Sequence, residues 1–314
     1  GVSELLVRAT PLLLVSLGIV LSFRTGVWNI GGEGQLIAGA VAGTALALGA
    51  RGWPAWVLLP LVLVVGAVAG ALWGAVAGLL KTRLSVNEIL STIMLNQIAL
   101  HLCAFLLRGP MIDPKQLSYG TGYPQTALIP QQIWLARFPG TRAHVGFVLA
   151  LMAAVLVHVL LVRTVIGYRM RAVGASVEAA RYAGIGVSRC VMLAIAVSGG
   201  FAGLAGIVEV LGVHHRLLDG VSAGYGFSGI VVALFARLHP LACIPAALFF
   251  GLLVLGADMM QRAVAVPGAI ALVMEGLIVL FVVGGDLLVR NPELAGRLAH
   301  LVRVRRPKGV TRPL

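Results

Sequence analysis

The 314 residues are 59% hydrophobic and only 11% charged, with 40 glycines and a mean hydropathy of +0.99, where soluble domains carry about 25% charged residues. A soluble globular domain is excluded, and the class expected is an all-α integral membrane protein, a polytopic helical bundle lying in the lipid bilayer. The net charge of +13 does not indicate nucleic acid, because Lys and Arg stand at the ends of apolar runs and form no patch with interleaved aromatics.

Residues 5–23 form the first predicted span, close to the roughly 20 residues that a bilayer requires. RTGVWNIGGEGQ follows. Four glycines between positions 26 and 34 disfavour a regular helix, and Asn29, Glu33 and Gln35 are unsuited to lipid. Irregular polar backbone at membrane depth is tolerated only where protein or a water-filled cavity surrounds it. This stretch therefore reads as a break that opens a half-helix over about 35–50, its N-terminal amides turned inward; the plainer reading is an interfacial loop.

Residues 56–80 carry Gly66, Gly70, Gly74 and Gly78 at every fourth position. Such a row lets another backbone come close, and it predicts a buried packing helix. In the next span, 86–107, Asn96 and Gln97 lie two to three turns in and need an interior partner or a wet cavity. Residues 108–143 form a Pro-rich loop, expected on the extracytoplasmic side. The span 145–162 then has His158 as its one strongly polar side chain, read as a core residue.

The interval 163–189 places Arg163, Arg169, Arg171, Arg181 and Arg189 against one acid, Glu178. A loop this basic between two membrane-length runs belongs on the cytoplasmic side. Within it SVEAARYAG has an N-cap candidate, Ser176, an early acid, Glu178 and Arg181 one turn apart, and Gly184 as a stop, so it predicts a short helix. That helix is either part of an orientation-setting loop or a handle by which a soluble partner moves the spans behind it.

A span over 191–210 with Glu209 near its end leads to the adjacent His214 and His215, which are expected to be exposed. Residues 225–237 are too few for a full crossing and predict a short or tilted element. Spans at 240–257 and 267–285 precede a basic tail, 290–314. About eight crossings put sixteen Lys and Arg on the cytoplasmic side and eight on the other, in line with the charge bias of insertion. The chain would then enter from outside without a starting methionine, which leads us to expect one further span upstream. The three cysteines, Cys103, Cys190 and Cys243, have no metal-type spacing and imply no disulfide framework.

Four blocks in fixed order, RTGVWNIGGEGQ, LLKTRLSVNEILSTIMLNQIAL, GYRMRAVGASVEAARYAGI and GYGFSGIVVALFARLHPL, resemble the permease subunits of bacterial ABC importers for nucleosides and simple sugars. The likeness runs over about 8–288 and is nearest to the larger nucleoside-type permease of a heterodimeric pair. It implies a permease domain over 1–289, a second permease subunit, two cytoplasmic ATPase subunits, an extracytoplasmic solute-binding protein, and a place in the bacterial inner membrane. It also makes 163–189 the surface on which the ATPase docks, with Arg171, Gly174, Glu178, Ala179, Ala180, Arg181, Tyr182 and Gly184 as coupling residues.

No cofactor or metal is expected in this chain, with ATP and magnesium held by the partner ATPase. A phosphate-cradling loop needs Gly-Lys followed by Ser or Thr, and Lys81, Lys115 and Lys308 follow Leu80, Pro114 and Pro307. The candidate solute-pathway residues are Asn29, Glu33, Gln35, Asn96, Gln97 and Ser228, with Trp28 and Phe227 as surfaces on which a base could stack. Ser228 stands where the resemblance leads us to expect an acid. A rival from another class is a proton- or ion-coupled carrier using Glu33, Asp258 or Glu275.

Overall fold

The computed structural model describes residues 1–119, 123–264 and the helical positions 270, 273–274, 276–278 and 280–281. Among these residues the regular structure is helical: α1 (Val2–Arg24), α2 (Gly32–Gly49), α3 (Ala55–Leu84), α4 (Glu88–Arg108), α5 (Pro114–Tyr119), α6 (Gly146–Arg163), α7 (Val165–Ala175), α8 (Val177–Tyr182), α9 (Val187–Glu209), α10 (Tyr225–Phe235) and α11 (Cys243–Val264). An all-α polytopic membrane bundle results. Among the described residues six helices are long and apolar enough to cross a bilayer: α1, α3, α4, α6, α11, and α9 with the π turn Val210–His214 that continues it. Glu275, most of 267–285 and the tail 290–314 lie outside the described residues.

The bundle is built around α1, which is apolar on all sides and buried from Leu12 to Ser22 without interruption. Helices α6, α9, α10 and α11 wrap it. Beside it α2, α3 and α9 form the closest helix packing among the described residues. Here the glycine row of α3 faces Gly199 and Gly203 of α9, and a Cβ at Gly203 would collide with the Gly66 carbonyl. Helices can come this close only where side chains are missing, and in lipid such contact supplies the packing energy that the hydrophobic effect does not.

The buried packing helix expected at 56–80 is corrected in one respect. The glycine row is buried, whereas Val64, Val68, Leu72 and Val76 are exposed, so α3 packs on one side only. The half-helix expected from Gln35 also starts earlier. It begins at Gly32, so Glu33 and Gln35 belong to its first turn and the irregular stretch is confined to 25–31. Gly32 and Gly34 stand inside that first turn, where the lack of a side chain admits Gly226 and Asn96 at close range.

Two helix starts share a level. Cβ positions at Gly32 of α2 and Gly229 of α10 both lie against Val15, near the middle of α1. The chain thus turns at Arg24, climbs back along α1 as an irregular strand of residues, and restarts a helix at mid-depth. Helix α10 is the expected short element, and its first turn meets the first turn of α2 head to head.

The histidine interval departs from expectation. His215 is buried rather than exposed, and His214 is half-buried. The π turn brings the chain back toward the Pro-rich loop, His215 takes a left-handed φ of 55°, and its ring stacks on Trp134 at 3.8 Å. Arg137 Nη2 donates to His215 Nε2 at 2.7 Å, and His215 Nδ1 is 3.1 Å from the Leu211 carbonyl. The ring is therefore neutral, with its proton on Nδ1. Burial and Arg137 both hold it below the ordinary imidazole range, and burial pushes nearby His144 down to about 4.

Candidate functional site

The break at 25–31 is held by amides. Asn29 Nδ2 donates to Ser198 Oγ of α9 at 2.9 Å and to Gln35 Oε1 at 3.1 Å, while Asn29 Oδ1 accepts from Gly31 N at 2.9 Å and from Gln35 Nε2 at 3.1 Å. On the other side Asn96 of α4 reads the same turn in both directions. Its Oδ1 accepts from Gly34 N at 2.8 Å, and its Nδ2 donates to the Ile30 carbonyl at 2.9 Å. An orphan N–H at the start of α2 and a loose carbonyl of the break are both satisfied by one side chain.

Glu33 performs the corresponding service for α10. Its side chain is buried, and Oε2 accepts from Gly226 N at 2.8 Å, with Ser222 and the amides of Gly224 and Phe227 also directed at it. A carboxylate at a helix N-terminus meets both unpaired N–H groups and the positive end of the dipole. The two discontinuous helices are thus tied to each other by one acid.

The candidate residues divide by exposure. Asn29, Glu33, Gln35, Asn96 and Ser228 are brought together inside the bundle around these two helix starts. Trp28, Gln97 and Phe227 are exposed, Trp28 at 51% with its ring 4.7 Å from Phe23, and Phe227 at 46%. Gln97 points away from its neighbour Asn96 because consecutive helical positions face different sides. Of the carrier candidates, Asp258 is bound to Arg8 at 2.7 Å, and Arg8 also donates to the Tyr225 hydroxyl at 3.0 Å.

The interval 163–189 contains two helices where one was expected. Thr164 caps α7 through Gly167 N at 3.1 Å, and Ser176 caps α8 through Ala179 N at 3.2 Å. Gly184, with a φ of +75°, ends the second helix. Of the coupling candidates, Arg171, Gly174, Glu178, Ala179, Arg181, Tyr182 and Gly184 are exposed, Tyr182 at 98%, while Ala180 is buried. Among the described residues Glu178 and Arg181 form no ion pair.

Sequence reasoning missed how this segment is seated. Gly174 lies directly on the Arg24 carbonyl, and a Cβ there would come within 3.2 Å of Gly26 N as well. Arg24 Nε in turn donates to the Leu238 carbonyl at 3.0 Å, beyond the end of α10. The turn at 24–26 is therefore a junction between α7, the break before α2 and the far end of α10. The glycine in RAVGAS was the available signal, although nothing in sequence names its partner 150 residues away.

Residues 1–283 match the family described as branched-chain amino acid transport system / permease component. The chain belongs to this permease family. It is 36% identical over 283 residues to the guanosine ABC transporter permease protein NupP of Bacillus subtilis, covering 90% of this chain and 80% of that one. It is 35% identical over 302 residues to the glucose ABC transporter permease protein TsgB13 of Haloferax volcanii, covering 92% and 78%. Identity to the nucleoside ABC transporter permease protein NupB of Lactococcus lactis is 31% over 289 residues, covering 90% and 79%. No solved structure matches the chain.

Proposed function

We propose that this permease moves nucleosides across the bacterial inner membrane as one subunit of an ABC importer, with ATP hydrolysed by separate subunits. The observation that carries the reading is the 36% identity to a guanosine permease over 90% of the chain, together with a break and a short helix that meet at mid-depth. A sugar substrate is the second reading, favoured by the 35% identity to a glucose permease. The relatives NupP and NupQ of Bacillus subtilis are both guanosine permease proteins, which supports a second permease subunit beside this one. An extracytoplasmic binding protein would deliver the solute.

The α7–α8 segment faces the cytoplasm in this scheme and receives the ATPase. Movement there reaches the break and α10 through the junction at Arg24. Asn29, Glu33, Gln35, Asn96 and Ser228 shape the wall of the pathway from behind, while Trp28, Gln97 and Phe227 are free to meet solute. A proton-coupled carrier is less well served, since Asp258 is committed to Arg8 and Glu33 to a helix terminus.

The test is nucleoside uptake in cells carrying the complete system, comparing wild type, an ATPase-dead partner and Glu178→Arg, with ribose and glucose as competitors. Loss of uptake in both mutants at normal expression, without sugar competition, is the expected result. Uptake that survives the dead ATPase and collapses with the proton gradient would favour the carrier instead.

A further inference from the structure

One face of α4 is unlike the other outward faces of the bundle. Leu90, Met94, Gln97, His101, Phe105 and Arg108 recur at intervals of three or four residues, and all six are exposed. They form a single stripe along the helix. The helix rises about 30 Å at roughly 1.5 Å per residue, the thickness of the hydrocarbon core. Gln97 and His101 lie roughly 14 and 20 Å from its start, one turn apart and far from either surface.

Among the described residues neither side chain has a hydrogen-bond or ion-pair partner. Lipid offers none, and an amide and an imidazole left bare in hydrocarbon each cost several kcal/mol. Asn96, one position away, shows the alternative, since it is buried with both of its polar atoms bonded. Neither residue of the pair can reach the surface by extending, as a long Lys or Arg would.

We infer that Gln97 and His101 form a solute-contacting pair on a water-filled path along this face of α4, and that they accept a neutral solute through hydrogen bonds. The inference rests on the permease reading and names residues for it. Neutrality follows from the stripe itself. Its one charge, Arg108, is at the far end beside Asp219 at 3.5 Å, and Glu88 at the near end is paired with Lys81 at 2.5 Å. Among the described residues this face offers a charged solute no carboxylate, Lys or Arg at mid-depth, where burying an unpaired charge is prohibitive. The amide supplies both a donor and an acceptor, and the imidazole adds two ring nitrogens that can hydrogen-bond, which suits hydroxyls or the edge of a base.

The experiment uses the complete transporter in proteoliposomes, with labelled guanosine and labelled glucose as probes and a nucleoside monophosphate as charged competitor. His101→Ala and Gln97→Ala are each expected to raise the KM for uptake about tenfold, with the second permease and the ATPase still co-purifying. His101→Gln should recover part of the loss, and the monophosphate should not compete. Unchanged KM in both alanine variants, with normal wild-type uptake, would overturn the pair's role alone. Loss of the second permease at unchanged KM would also overturn it, showing a subunit contact. A wild-type system that takes up neither probe would overturn the permease reading with it.

Discussion

Asn29 uses one donor group and one acceptor atom to hold four bonds, and each partner is buried. Removing it leaves the Gly31 amide, the Ser198 hydroxyl and the Gln35 amide without their partner, at about 1–3 kcal/mol for each group that stays dry. Asn29→Ala is therefore expected to lower the thermal midpoint of the purified protein well beyond what an exposed change such as Trp28→Ala does. Equal midpoints would show that water enters the break and satisfies these groups. His215 and His144 predict a pH effect of definite sign. Both titrate below the ordinary imidazole value of 6.5 in the folded chain, His144 near 4. The unfolded chain binds the proton more readily, so their contribution is complete above about pH 6.5 and is lost as pH falls toward 4. Hydrogen-exchange protection in residues 124–145 and 210–222, taken relative to the intrinsic exchange rate at each pH, should fall over that window, and less so in His215→Gln.

At the scale of elements, what could be read in the sequence was whatever local chemistry decides. RTGVWNIGGEGQ announces a break because its glycines and amides suit neither lipid nor a long helix, and Ser176 and Gly184 bracket α8 because caps act within one turn. Thr164 would have announced α7 by the same rule had it been read as a cap. The burial of His215 was not legible, since Trp134 and Arg137 lie 81 and 78 residues away and only the fold brings them to it. The outward turn of Gln97 was hidden for a related reason: residues 96 and 97 are equivalent in sequence until α2 chooses which side of α4 to pack on. The glycine row shows the reverse case, where spacing alone identified the contacting face, though not α9 as its partner. Gly70→Leu should consequently prevent α3 from seating on Gly199 and Gly203, with loss of folded protein in the membrane, whereas Leu72→Ala on the outer face should leave its amount unchanged.

For the whole molecule, under the proposed docking of an ATPase on α7–α8, the question is how a push there would reach the starts of α2 and α10. Only covalent chain and packed atoms can carry it, and a claim of coupling needs an element whose arrangement both sites bias. The described residues offer one continuous route. Helix α7 rests on Arg24 at Gly174, Arg24 holds the end of α10 through Leu238, and the start of α10 is tied by Glu33 to the start of α2. In the proposed scheme, displacing α7–α8 would act on α2 and α10 together, one through the 25–31 segment and one through its far end. Two substitutions separate contact with the ATPase from transmission. Glu178→Arg, on the exposed surface of α8, should reduce co-purification of the ATPase and abolish uptake with it. Gly174→Val leaves that surface intact but forces α7 off the Arg24 carbonyl. It should keep the ATPase bound and hydrolysing while uptake falls at least tenfold, so that ATP consumed per solute moved rises. If Gly174→Val instead lowers hydrolysis and uptake in equal proportion, the junction at Arg24 is not where force passes, and the route must run through α6 or α9, the two spans that flank the handle.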